Sequence, residues 1–163
     1  MPADELKTPN DPTKVWQMLK SIDVCMFITL PGGQPNGRPM STIPMQDEGC
    51  IFLLTEATSS AATDVASNGT VLLSYQGGSD HVAVAGKATV DADKALIKRL
   101  WSPGAQAFWP DGAEASHVVA IKVKPDQADY WDGPNPVIGA AKFLFALVTR
   151  QEPELGERGV VNL

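Results

Sequence analysis

Arg38 and the run Thr55-Glu56-Ala57-Thr58-Ser59-Ser60 are the residues whose types and spacing bear most directly on chemistry. A guanidinium offers a planar fork of donors that suits a phosphate. A hydroxyl-rich turn leading into a helix N-terminus offers neutral O–H and N–H donors to the same kind of anion. The same residue types also fit a plainer reading, an arginine in a surface ion pair and serines that cap a helix, and spacing alone leaves both open. No residue declares itself a general acid, base or nucleophile, so no catalytic residue is assigned.

Other chemistries lack their residues. There is no GxSxG elbow, no GxGxxG and no GxxxxGK phosphate loop. The glycines at 32, 33 and 37 join strand to strand and deliver no helix N-terminus. His81 and His117 have no second His or Cys at ligand spacing, so no metal site is expected. Asp47-Glu48 beside Gly49 reads as a solvated turn. Cys25 and Cys50 lie in separate apolar runs and read as buried, reduced thiols.

The elements that must position these groups are short. Asp11-Pro12 caps an amphipathic helix carrying Val15, Met18, Leu19 and Ile22. Residues 23–30 read as a strand, 31–37 as a hairpin loop, and 38–45 as a returning strand that Pro39 and Pro44 confine to an edge or bulge. Residues 49–55 form a strand buried on both faces. A helix capped at Thr58-Ser59-Ser60 then runs to Val65 and closes at Asn68-Gly69 with a left-handed residue. A strand over 70–76 precedes a clear alternation that puts Val82, Val84, Gly86, Ala88 and Val90 on one face. Leu96, Ile97, Leu100 and Trp101 make a helical stripe ended by Ser102-Pro103-Gly104, and residues 108–112 form an aromatic loop. Two last strands, 117–124 and 128–132, flank a Pro125-Asp126 turn, and a final helix spans 135–148. Six or seven short strands with small helices between them predict a mainly β chain, a barrel with peripheral helices.

With 163 residues, 44% of them hydrophobic, the chain suits one domain over 11–150, after a leader at 1–10 and before a tail at 151–163 with no clear pattern. A net charge of -6, without a Lys/Arg run, speaks against nucleic acid and anionic membrane as partners. The first eleven residues lack a secretory layout, and no apolar stretch approaches the ~20 residues of a spanning helix. The expected location is cytoplasmic.

Six segments, in order and spacing, carry a resemblance. They are Arg38-Pro39-Met40; Ile51-Phe52-Leu53-Leu54-Thr55 with its serine-rich turn; the run from Val82 to Ala88; Leu100-Trp101-Ser102-Pro103; Phe108-Trp109-Pro110-Asp111-Gly112; and Asp129-Tyr130-Trp131-Asp132. From about residue 15 to 132 the chain resembles the general-stress-protein-26-like branch of the pyridoxamine-phosphate-oxidase-like split barrels. The resemblance implies a split β-barrel that forms a homodimer and holds FMN in two clefts at the subunit interface. It assigns Arg38, Ser59 and Ser60 to the flavin phosphate, and Met40, Ser41 and Thr42 to the strand along the isoalloxazine. Leu54 and Thr55 fall at the end of the next strand, and Trp131 matches a tryptophan that approaches the cofactor. Trp101 and Trp109 are expected to pack in a core or interface.

One departure stands out. The family usually places a lysine two residues after the serine, where this chain has Ala61 in what reads as a solvent-facing first turn. The implied flavin site is therefore weaker than the family's, or takes another flavin. Pyridoxamine-phosphate oxidase itself is not expected, because Trp131 is followed by Asp132-Gly133-Pro134-Asn135 and not by an Arg-x-His-x-Arg segment. The leading reading is an FMN-dependent oxidoreductase or redox protein. The alternatives are a flavin-binding stress protein without turnover and a cofactor-free interaction module.

Overall fold

The computed structural model describes residues 11–115, 117–134, 140, 147 and 156–163. Helix α1 (Pro12–Ile22) starts at Asp11, whose carboxylate accepts from the amides of Thr13 (3.0 Å) and Lys14 (3.4 Å). It buries Val15, Trp16, Met18 and Leu19. Strand β1 (Val24–Thr29) returns as β2 (Asn36–Ser41) through a loop in which Gly32 (φ 59°) and Gly33 (φ 81°) hold left-handed backbone. The rest of the barrel is built from β3 (Ile43–Met45), β4 (Cys50–Glu56), β5 (Thr70–Gly77), β6 (Asp80–Asp91), β7 (Val118–Asp132) and β8 (Glu157–Asn162). Helix α2 (Ser60–Ser67) lies between β4 and β5, and α3 (Lys94–Leu100) and α4 (Pro103–Phe108) lie between β6 and β7.

The sheet runs β2-β1-β5-β6-β7-β4-β3, antiparallel throughout, with β8 on β7. The two end strands, β2 and β3, are consecutive in sequence and parted only by Thr42, so the sheet must curl until its ends meet. The amide and hydroxyl of Thr42 both donate to the Asp23 carbonyl, at 2.8 and 2.9 Å. Among the described residues no ladder joins β2 to β3 or β4. This is a split barrel, mainly β with peripheral helices, as expected. The strand expected over 38–45 is two strands, and both prolines sit where the sheet ends and no ladder bond is lost.

Asp23 is the one non-glycine at positive φ among the described residues (φ 69°, ψ −40°). Its amide bonds to the Leu19 carbonyl (3.0 Å) and its carbonyl takes both Thr42 donors, so the strain is held from either side. Asp23→Gly should therefore raise stability by about 0.5–1.5 kcal/mol, since only a Cβ-free residue adopts this turn without penalty. Urea denaturation checks it, and an unchanged or lower midpoint would mean the strain is not there to relieve.

Two apolar layers explain why β4 is buried on both faces. Ile51 and Leu53 face the barrel interior with Phe27, Leu73, Val84 and Ile121. Cys50 and Phe52 face outward beneath Ile97 and Leu100 of α3. Both cysteines are buried and free, and burial pushes the Cys25 thiol up to about 12, which keeps it inert.

Three local expectations need correction. The two strands expected over 117–132 are one 15-residue strand, because the register shifts at Ala85/Gly86 opposite Pro125. A Cβ on Gly86 would lie 2.5 Å from the Lys124 carbonyl oxygen, so the bare glycine makes room for the proline in a bulge. Val90 keeps the face of Val82, Val84 and Ala88, opposite buried Ile121, but is 37% exposed near the end of β6. Helix α2 closes without a left-handed residue: Asn68 is extended, its side chain donating to the Leu30 carbonyl (2.9 Å) and accepting from the Thr70 amide (3.1 Å). Ser102-Pro103 opens α4, with the Ser102 hydroxyl accepting from the Ala105 amide, besides following α3.

In the tail, β8 pairs with β7 from Gln127↔Asn162 to Asp132↔Glu157. Lys14 ties α1 to both strands through Asp132 (2.7 Å) and Glu157 (2.5 Å). Burial pulls its ammonium down, but those two carboxylates outweigh burial and hold it above the usual lysine range. The helix expected over 135–148 falls, apart from Ala140 and Leu147, outside the described residues.

Candidate functional site

The barrel's incomplete closure leaves a cleft of about 790 Å³ where β2, the Thr42 crossing, the end of β4, the start of α2 and α4 converge. Eight of the nine residues assigned from sequence line it: Arg38, Met40 and Ser41 from β2, Thr42 at the crossing, Leu54 and Thr55 at the end of β4, and Ser59 and Ser60 at α2. Trp131 does not. It lies on β7 opposite His81 and Arg158, with the Arg158 guanidinium 5.1 Å over its ring. In this single chain Trp131 faces β8, so its expected approach to a cofactor has no counterpart in the cleft.

The turn at Ser59 is fixed by its own chemistry. The Ser59 hydroxyl accepts from the Ala62 amide (3.1 Å) and from the Thr55 hydroxyl (3.0 Å), which joins the end of β4 to the helix cap. The amides of Ser60 and Ala61 belong to the first turn, whose N–H groups have no acceptor within the helix. Together they present a small set of donors at the positive end of α2. Ala61 also lines the cleft, yet it is 3% exposed and packs in the barrel core, so its turn does not face solvent as expected.

Arg38 is committed to a network. One amino group donates to the Thr29 hydroxyl (2.8 Å) and the other to the Asp64 carboxylate (2.8 Å). The same Asp64 oxygen accepts from Thr29 (2.7 Å) and from the Asn36 amide (3.1 Å). The Thr29 hydrogen bond, followed by those from Arg38 and Asn36, holds the Asp64 carboxyl below the usual range against the opposing effect of burial. Both plain readings of the sequence are thus realised, the ion-paired arginine and the capping serine, and both lie on the wall of the cleft.

The opposite wall was not legible in the same way. Ser102, Gly104, Ala105, Phe108 and Trp109 line it, from α4 and the turn that follows. Gln106 anchors the segment, accepting from the Trp101 indole (2.9 Å) and donating to the Pro110 carbonyl (2.9 Å). Trp101 packs against the α3 layer as expected, whereas Trp109 also reaches the cleft and Phe108 beside it is 79% exposed at the rim. The signal that could have found this wall is Ser102-Pro103, a helix-start pair as much as a helix stop. Among the described lining residues the ionisable side chains are Asp23 and Arg38 alone.

Residues 10–154 match the family described as "Pyridoxamine 5'-phosphate oxidase like". The chain belongs to this family. No curated protein sequence matches it. Among solved structures, this member of the pyridoxamine 5'-phosphate oxidase like family is similar to general stress protein 26 of Jannaschia sp. CCS1, with a TM-score of 0.76 at 20% identity over 91% of this chain and 95% of that one. It is similar to the general stress FMN/FAD binding protein of Xanthomonas citri, with a TM-score of 0.63 at 24% identity over 72% and 85%. A pyridoxamine 5'-phosphate oxidase-related, FMN binding protein of Nostoc punctiforme aligns over 98% of this chain and 99% of its own, with a TM-score of 0.59 at 12% identity. At these identities the solved structures speak for a common fold.

Proposed function

We propose that the cleft between β2, α2 and α4 binds a flavin, FMN or a close relative, and that a homodimer completes it. The observation that carries this reading is the convergence of residues from three separate segments, 38–42, 54–55 and 59–60, on one cleft large enough for a tricyclic ring and its side chain. Met40 and Leu54 would give the ring apolar contact, and Ser41 and Thr42 lie on the strand beside it. Thr55, Ser59 and Ser60, with the first-turn amides, would hold the polar tail. A bound flavin supplies hydride or electron transfer, and the protein supplies binding and polarity.

The dimer is supported by an apolar outer face on β2-β1-β5. Val24 and Met26, alternate residues of β1, are 45% and 44% exposed, and Leu72 on β5 is 37% exposed. Met26 pairs with Pro39, and Val24 and Pro39 also line the cleft, so a surface covering this face would wall the site.

A flavin-binding protein without turnover is favoured as the second reading by the acid–base content of the cleft, where among the described lining residues Asp23 is the single carboxylate and no His, Cys, Tyr, Glu or Lys contributes. Titrating riboflavin and FMN with apo-protein, followed by flavin fluorescence quenching, tests the proposal. Saturable quenching is the expected result, and its absence with both flavins would refute flavin binding. Bleaching of the bound flavin by NAD(P)H would then separate redox protein from carrier.

Ala61→Lys tests the phosphate end. The lysine stem would leave the core through the cleft and carry an ammonium toward the tail. FMN should bind about three- to tenfold tighter, and less so in high salt. Unchanged FMN affinity in a folded variant would mean that the first turn of α2 does not face the phosphate.

A further inference from the structure

We infer that Asp64 sets the cleft's choice among flavins: by engaging Arg38 in an ion pair it leaves the tail end without net positive charge, so a flavin with an uncharged side chain binds about as well as one ending in a phosphate dianion. This rests on the flavin reading above and names the ligand class within it.

Arg38 is the one cation among the described residues that line the cleft. Its two amino groups already donate to Thr29 and Asp64 at 2.8 Å each. Its side chain and that of Asp64 are 18% and 14% exposed, and Thr29 is fully buried, so water screens the pair little. Thr29 and Asn36 add their own hydrogen bonds to the same carboxylate oxygen, which fixes Asp64 where it neutralises the guanidinium. Asp23, the carboxylate among the described lining residues, adds its own negative charge, and Ala61 supplies no charge. What remains for the tail is neutral: the hydroxyls of Thr55, Ser59 and Ser60 and two helix amides. These donors serve a ribityl hydroxyl chain as readily as a phosphate, whereas a dianion also meets the field of Asp64.

The test is a comparison of FMN and riboflavin dissociation constants for the wild-type protein and Asp64→Asn at two salt concentrations. Asparagine keeps the shape and accepts from Thr29, but it frees the guanidinium charge. In the wild type the two constants should agree within about tenfold and depend weakly on salt. Asp64→Asn should tighten FMN by about tenfold or more, with strong salt dependence, and leave riboflavin unchanged. A wild-type preference for FMN beyond about tenfold, or an FMN-to-riboflavin ratio unaltered by Asp64→Asn, overturns the inference. The wild-type ratio stands as a test even if the variant fails to fold. Failure of the flavin reading looks different, since neither flavin would then bind the wild type. Inorganic phosphate becomes the probe in that case, followed by the amide NMR shifts of Ser60 and Ala61. Shifts in Asp64→Asn and not in the wild type support the role of Asp64, and equal shifts, or none in either protein, overturn it.

Discussion

Replacing Arg38 with alanine is expected to weaken FMN binding by about 1.5–3 kcal/mol, roughly 10- to 150-fold, and to leave riboflavin nearly unchanged. Two effects act in one direction. The substitution removes the one cation among the described residues of the cleft wall, and it leaves Asp64, held by Thr29 and Asn36, with its charge uncompensated beside the ligand's tail. FMN should therefore fall below riboflavin in affinity, a reversal that loss of a neutral contact would not produce. Parallel quenching titrations with the two flavins measure it. Equal losses for both would remove the phosphate from this end of the cleft and point to a general disturbance of β2.

Met26→Glu is expected to raise the dimer dissociation constant by about 100-fold or more. Met26 is 44% exposed on a β1 face that also carries Val24, with Pro39 opposite it on β2. A carboxylate there would have to lose its water in the contact with nothing to pair it, and a two-fold axis would bring a second one near. Because Met26 faces outward, the chain itself should keep its fold and melting behaviour. Light scattering at micromolar concentration reads the result: a wild-type dimer and a 17.3 kDa variant. A wild-type monomer would refute the homodimer, and an intact variant dimer would place the interface elsewhere. Flavin affinity should drop with the dimer, since Val24 and Pro39 belong to both surfaces.

What the sequence made legible depended on how far each determinant lies from the residue it governs. Helix α1 could be read locally, because Asp11, Pro12 and the apolar spacing after them act within a few residues. The alternation of Val82, Val84 and Ala88 was visible because one face of β6 looks into the barrel along most of its length. Pro125, by contrast, reads as a break until Gly86 is set opposite it, and that pairing is a matter of tertiary structure. Strand β8 hid for a related reason: Val160 and Val161 are adjacent, so the period-two signal is absent, and the segment is a strand only because β7 offers it an edge. At the site, the resemblance reached Arg38 and Ser59 but not Asp64, which lies 26 positions beyond the arginine it pairs with. That partner decides the charge of the cleft, and no motif around Arg38 announces it.

The double hydrogen bond from Thr42 to Asp23 has one more consequence. A barrel sealed by a ladder resists prising apart along a whole row of rungs, whereas here the Thr42 hydrogen bonds lengthen the β1–β2 pairing by one rung and the lips are joined at that point by the chain itself as it crosses from β2 to β3. A guest lodged between β2 and β4 would rivet those lips together, so occupancy should register as mechanical and thermal toughness of the whole shell. Hydrogen exchange at the Thr42 amide is the natural gauge, slow when the rivet is in place and fast when it is out.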